Sequence, residues 1–249
     1  MKPEIRSYPT LLDLSKAAAE FIVELAETAV EDRTIFTLAL SGGSTPRLLY
    51  EYLAKEEFAR RMPWEHTHVF WGDERCVSPD HPDSNFALAF ESLISKAPVP
   101  SENVHRVPTE GELPKTAARE YERSLREFFQ DAARDRMPMA FPAFDLILLG
   151  LGKDGHTASL FPGEPVLEEK TRWVVAVAGT SASPAVPRVT LTFPVINQAR
   201  CVLFLASGSD KRDVFQEILN SPESAAQQYP AARVRPSGSL LWFIDEGLV

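Results

Sequence analysis

This chain of 249 residues predicts an α/β fold with a mostly parallel sheet covered on both faces. Short apolar runs of strand length alternate along it with stretches of helical periodicity, the pattern of βαβ units. Several of those runs end in glycine-bearing polar loops, and the carboxyl ends of strands are where open α/β sheets place their ligands. No internal repeat or low-complexity tract interrupts the alternation, so residues 1–249 are expected to form a single domain.

The elements follow in order. Leu11, Leu14, Ala18, Phe21, Ile22, Leu25 and Ala29 recur at helical spacing, with Thr10 as the N-cap. Residues 35–40 read as a strand, and 46–54 as a helix with Pro46 at its first position, where a missing N–H costs little. Residues 68–71 form a short strand, and a loop then leads to a helix around 85–94. A charged amphipathic helix spans about 115–134, from Lys115 to Arg134. Residues 145–149, 173–178, 189–193, 201–205 and 240–245 are further strands, with a helix over 209–219 between the last two. The proline-bearing stretches 97–114 and 220–236 are expected to be mobile connections.

Hydrophobic residues make up 44% of the chain and charged residues 24%, which is ordinary globular material with ample surface to bury. No apolar run approaches the length that crosses a bilayer, and the opening MKPEIRSYPT lacks the apolar centre of a secretory signal. Cys76 and Cys201 are too few for a disulfide framework and have no metal-ligand spacing. They are expected to be reduced thiols of a cytoplasmic protein, Cys201 as part of the core. The net charge of −9, with no basic cluster beyond pairs such as Arg60-Arg61, disfavours nucleic acid and anionic membranes as partners. An anionic substrate would have to be held by local cations and backbone amides against that field.

The densest chemistry lies in DLILLGLGKDGHTASLFPG, residues 145–163. A buried strand there is broken by Gly150 and Gly152, and Lys153, Asp154 and His156 follow at its carboxyl end. Glycine carries no Cβ, so backbone N–H groups can approach a ligand closely. Imidazole serves as acid or base near neutrality, and Asp154 stands where it can orient His156 or hold its charged form. The other histidines have no such company. His66 and His68 lack a third metal ligand, and His81 and His105 sit in proline-bearing loops without a partner set.

Three more segments carry polar chemistry. Ser41-Gly42-Gly43-Ser44-Thr45-Pro46 joins a strand to a helix, the recipe for an anion site and equally for a plain N-cap with a glycine turn. Trp71-Gly72-Asp73-Glu74-Arg75 offers carboxylates and a guanidinium at a strand end, suited to bidentate anion recognition or to a surface ion-pair cluster. Lys211 opens a helix against the dipole, and Arg188 opens a strand, so either could answer a bound anion or simply face solvent. There is no Walker A sequence, GxGxxG, GxSxG, HExxH or CxxC, so nucleotide binding, a serine nucleophile elbow and zinc are unsupported.

Taken in order, SGGSTP at 41–46, WGDER at 71–75, the 145–163 segment, RVTLTFPVIN at 188–197, FLASGSDK at 204–211 and LLWFIDE at 240–246 resemble the 6-phosphogluconolactonase family. That family sits within the glucosamine-6-phosphate isomerase/deaminase superfamily, and the resemblance covers about residues 11–245. It implies a modified Rossmann-like three-layer α/β/α sandwich without metal or organic cofactor. It also implies hydrolysis of 6-phospho-D-glucono-1,5-lactone to 6-phosphogluconate in the oxidative pentose phosphate pathway. By motif position Ser41, Gly42, Gly43, Ser44, Thr45, Arg188 and Lys211 would hold the 6-phosphate. Asp73, Arg75, Asp154 and His156 would surround the lactone, with His156 as the catalytic histidine. The expected partner is this small sugar-phosphate lactone, and the chain is expected to be a monomer or a weak homo-oligomer.

A lactone is an activated ester, so positioned water and one base suffice. His156 would take a proton from water attacking C1, Arg75 and nearby amides would stabilise the oxyanion, and Asp154 would support the imidazolium. The nearest rival is an amino-sugar-phosphate deaminase, which carries Asn-Glu-Pro after its DGH histidine. Ser159-Leu160-Phe161-Pro162 stands here instead, with no carboxylate before Glu164. The other rival, a non-catalytic sugar-phosphate sensor, would need a basic DNA-reading domain, whereas this chain is acidic and is expected to begin directly with the first helix of the fold.

Overall fold

The computed structural model describes residues 3–111, 113–132, 140–179 and 184–248. From the amino end the chain runs through β1 (Glu4–Tyr8), α1 (Leu11–Arg33), β2 (Phe36–Leu40), α2 (Ser44–Leu53), the short α3 (Glu56–Ala59), β3 (Thr67–Trp71), β4 (Asp73–Arg75) and α4 (Asn85–Ala89). Next come α5 (Pro114–Ala132), β5 (Leu146–Gly150), β6 (Val174–Val177), β7 (Arg188–Leu191) and α6 (Phe193–Gln198). The chain closes with β8 (Cys201–Ala206), α7 (Arg212–Asn220), α8 (Pro222–Gln228) and β9 (Ser239–Asp245).

Six of these strands form one parallel sheet in the order β1-β9-β8-β5-β2-β3, so the mostly parallel α/β fold is as expected. Its middle strands are apolar but for Thr37 in β2. Every residue of β2 and β8 is buried, as two-sided cover of a parallel sheet demands. Leu38 lies between Val69 and Leu146, and the rings of Phe204 and Trp242 stack at 3.8 Å. Along α1, Leu14, Ala18 and Ile22 turn inward, Thr10 caps the helix by accepting from the Asp13 N–H at 3.1 Å, and Thr34 ends it at φ 70°. No described helix is long and apolar enough to cross a membrane.

A second sheet departs from simple alternation. β4, β7 and β6 form a three-stranded antiparallel sheet, with Asp73 opposite Thr190 and Arg75 opposite Arg188. The Asp73-Glu74-Arg75 run, expected as loop, has no alternating pattern; pairing with β7 makes it a strand. Phe193, expected to end a strand, begins α6 with proline in its first turn. α2 starts at Ser44 rather than Pro46, because Gly43 takes φ 109° and completes the turn early. The helix expected over 85–94 is α-helical as far as Ala89 and then a π-turn over Phe90–Ile94. That expected over 209–219 divides into a tight turn, Ser209–Lys211, and α7. The expected end of the charged helix at Arg134 lies outside the described residues, as does Glu112.

The stretch 220–236 is not a loose connection. Pro222 and Pro230 take first-turn positions, in α8 and in the short turn Pro230–Arg233, where proline starts helices. Within 97–114, Val104 bridges Val69 and the His105 N–H donates to the Val69 carbonyl at 2.8 Å, extending the β3 edge. Cys201 is buried in β8 as expected, where burial pushes its thiol up to about 12.

Candidate active site

The loops after β2, β3, β5 and β8 meet at the carboxyl ends of the parallel strands, around a cavity of about 300 Å³. Every predicted site residue lines it except Asp154, which bonds His156 instead.

The loop after β2 is held from below by a tyrosine. The buried Tyr50 hydroxyl accepts from the Ser41 N–H at 3.0 Å and donates to the Ser41 carbonyl at 2.6 Å. Burial pushes that phenol well above its ordinary value. Ser41 Oγ is buried without a hydrogen-bond partner. Gly42 must be glycine, since a Cβ there would fall 1.8 Å from Asn85 Oδ1. Beyond it the N-terminus of α2 brings backbone N–H groups to the cavity wall, an arrangement that favours anions.

The loop after β3 repeats the device. The Tyr121 hydroxyl accepts from the Trp71 N–H and donates to the Trp71 carbonyl, both at 2.9 Å. At Gly72 the chain passes between sheets: its N–H donates to the Leu40 carbonyl, and its own carbonyl accepts from the Leu191 N–H, each at 2.8 Å. Asp73 is then fixed by the Ser159 hydroxyl at 2.7 Å, while Asn85 Nδ2 donates to the Asp73 carbonyl at 2.9 Å. Glu74 is buried and turned away from the cavity. Burial pushes its carboxyl up, against the N–H groups of Asn85, Phe86 and Arg75, each at 2.7 Å. It thereby caps α4 and holds Asn85 in place. Arg75 donates from Nη1 to the Asp83 carbonyl at 2.7 Å, and its buried Nε has no hydrogen-bond partner.

The loop after β5 carries His156 and Asp154. His156 Nδ1 lies 2.5 Å from Asp154 Oδ1, the Gly152 N–H donates to the His156 carbonyl at 2.9 Å, and the Thr157 hydroxyl donates to the Gly150 carbonyl at 2.8 Å. Gly152 is pressed against the imidazole: a Cβ there would stand 2.1 Å from Nδ1. Phe161 packs on the ring from another side, with centroids 4.6 Å apart. Gly155, at φ 77°, leaves room for the Tyr229 ring, and Ala158 holds a left-handed φ of 48° that is uncommon for alanine. Burial pushes the Asp154 carboxyl up, but the hydrogen bond and charge of His156 outweigh this and hold it below its ordinary value. With Nδ1 engaged by the carboxylate, Nε2 is the nitrogen left for a ligand.

Two cations complete the cavity, Arg188 buried and Lys211 partly so. Arg188 is buried, donates from Nη2 to the Pro184 carbonyl at 3.2 Å, and places its guanidinium 5.5 Å from the Phe161 ring centre. Burial lowers its pKa, and the neighbouring Asp73 opposes that. Lys211 ends the tight turn after β8 and is likewise lowered by burial, against the pull of Asp210 and Asp245.

Reasoning from sequence missed Asn85, Ser159 and Tyr50. Ser159 lies inside the 145–163 motif, which was its signal; Asn85 and Tyr50 had only their helical context. It also missed a partner for His105, whose Nε2 lies 3.1 Å from His68 Nδ1 in a box of Phe70 and Phe128. Among the described residues, no group of three or more His, Cys, Asp or Glu could hold a metal ion.

At the strand ends, where α/β enzymes bind their substrates, the cavity brings His156, paired with Asp154, together with the glycine-bearing 41–45 loop at a helix N-terminus and the cations Arg188 and Lys211. The chain matches the family model described as glucosamine-6-phosphate isomerases/6-phosphogluconolactonase over residues 9–242, and belongs to that family. A 6-phosphogluconolactonase of Nostoc sp. is 40% identical over 245 residues, 98% of this chain and 96% of the relative. That of Synechocystis sp. is 47% identical over 218 residues, 88% of this chain and 85% of the relative. The crystal structure of the 6-phosphogluconolactonase from Thermotoga maritima superposes with a TM-score of 0.82 at 34% identity, covering 98% of this chain and all of that one. A monomeric glucosamine-6-phosphate deaminase, 19% identical with a TM-score of 0.79 over 98% of each chain, shares the fold.

Proposed function

We infer that this chain hydrolyses 6-phospho-D-glucono-1,5-lactone to 6-phosphogluconate, the lactonase step of the oxidative pentose phosphate pathway, with His156 as general base. The observation that carries the mechanism is the 2.5 Å pair of His156 and Asp154, whose imidazole lines the same cavity as the 41–45 loop. Ser41 to Thr45, Arg188 and Lys211 bind the 6-phosphate, so the ring end of the substrate extends toward His156, Asp73 and Arg75. His156 Nε2 takes a proton from water as the water oxygen bonds to C1. The carbonyl π pair moves to oxygen, and Arg75 stabilises the resulting oxyanion. Collapse of that intermediate breaks the bond from C1 to the ring oxygen, which receives the proton from the imidazolium. The new carboxylic acid releases its own proton to solvent. Asp154 stabilises the imidazolium between the two transfers, the role a carboxylate plays behind a catalytic histidine.

Deamination with ring opening is disfavoured by what surrounds the base. After Ala158 the chain places Ser159 on Asp73 and the Phe161 ring on His156, with no carboxylate among residues 158–162.

The test is hydrolysis of freshly made 6-phosphogluconolactone above its spontaneous rate, with His156→Ala beside the wild type. The substitution is expected to lower kcat by about 10²- to 10⁴-fold, the usual worth of a general base, while inorganic phosphate still binds. No acceleration by the wild type would overturn the activity, and a near-normal kcat in the variant would remove the base.

A further inference from the structure

We propose that Lys153 is a specificity-determining residue for the phosphate group, and that Asp210 is the partner it rests on until phosphate arrives. This rests on the phosphate-binding reading above and gives a role to a residue of the 145–163 motif that the mechanism did not use. Lys153 lines the cavity from the loop after β5, one residue before Asp154. Its Nζ reaches across to Asp210 Oδ2 at 3.0 Å, and Asp210 directly precedes Lys211 in the turn after β8. The ion pair therefore joins two of the loops that build the site.

Charge explains why the pair is not simply a strap. Lys211, lowered by burial and held up by Asp210 and Asp245, also feels the positive charge of Lys153, whose Nζ stands 3.0 Å from that same Asp210. Lys153 and Asp210 are 75% and 45% exposed, and an exposed pair of this kind is held weakly and exchanged easily. A phosphate dianion brings more charge and more acceptor oxygens than one carboxylate. It draws Lys153 off Asp210, and that aspartate is left as a like charge beside the ligand. In a chain of net charge −9 the extra cation offsets an unfavourable field, and Asp210 sets how tightly phosphate is held.

The experiment is calorimetric titration of inorganic phosphate into the wild type, Lys153→Met and Asp210→Asn at low and at physiological salt. Both side chains are exposed, so the variants are expected to fold normally. Lys153→Met should weaken phosphate by about twofold to fivefold, as one exposed cation would. Asp210→Asn should tighten it, and both differences should shrink with added salt. Unchanged affinity in Lys153→Met, or weaker binding in Asp210→Asn, would overturn the proposal, the latter because it is what a purely structural strap predicts. Phosphate binding needs no turnover. A wild type that binds phosphate through Lys153 but leaves the lactone alone would sink the lactonase reading and keep this one.

Discussion

A single methyl group at Gly152 should disable the base without altering any titratable residue. The φ of Gly152 lies outside the left-handed region, so its backbone accepts alanine. The added Cβ would stand 2.1 Å from His156 Nδ1, 2.3 Å from Cε1 and 2.7 Å from Asp154 Oδ1. Ordinary contact begins near 3.4 Å, so the ring must retreat by about 1.3 Å, the difference from 2.1 Å. A misplacement of about 1 Å at a reacting group costs on the order of 10²-fold in rate, or about 2.7 kcal/mol of transition-state stabilisation. Gly152→Ala is therefore expected to lose about two orders of magnitude in kcat while retaining its affinity for inorganic phosphate. The assay is initial-rate lactone hydrolysis, with a thermal melt to show that the fold survives. A folded variant with kcat within about threefold of the wild type, a difference of well under 1 kcal/mol, would refute the idea that the 152–156 loop fixes the base.

Other outcomes follow from the same geometry. Lys211→Ala should raise KM for the phosphorylated lactone with little change in kcat, and an unchanged KM would take Lys211 out of the phosphate site. Ser159→Ala removes the 2.7 Å bond that fixes the Asp73 carboxylate, and should cost about 1 kcal/mol in a urea titration together with a measurable loss of kcat. An unchanged kcat would make that bond purely structural. The His68–His105 pair predicts an acid-side loss of stability. Burial, and then the neighbouring imidazole, lowers His105 to about 4, and burial lowers His68 as well. The unfolded chain binds protons below about 6.5, where the folded pair does not. Stability therefore falls as pH drops from about 6.5 to about 4, and His105→Leu should flatten that decline in melting temperature.

Sequence reasoning succeeded where chemistry and backbone signals coincide. The 41–45 loop and the 150–156 loop each join a strict apolar strand to glycines and polar residues, so their place at a strand end could be read without coordinates. It failed where an element exists only through its partner. Asp73-Glu74-Arg75 has no strand pattern and is one because β7 lies beside it. Glu74, equal in sequence to its neighbours, proves to be a buried cap for α4. Asn85 is tied to Gly42 only by a steric contact between residues 43 positions apart. Short local windows carry no trace of such contacts, and for the same reason the His68–His105 pair was invisible.

The peptide at Gly72 has one consequence for how substrate is sensed. Its N–H bonds the end of β2, immediately before the 41–45 loop, and its carbonyl bonds β7, the strand that opens with Arg188. Asp73 is the very next residue. The two halves of the molecule thus share a rung rather than merely touching. On the proposed reading, phosphate at the 41–45 loop is tied through this one peptide to the sheet that carries Asp73, Arg75 and Arg188. The expected consequence is that the 6-phosphate helps to align the groups proposed to surround the lactone, so a substrate lacking it should be turned over badly even when supplied at saturation.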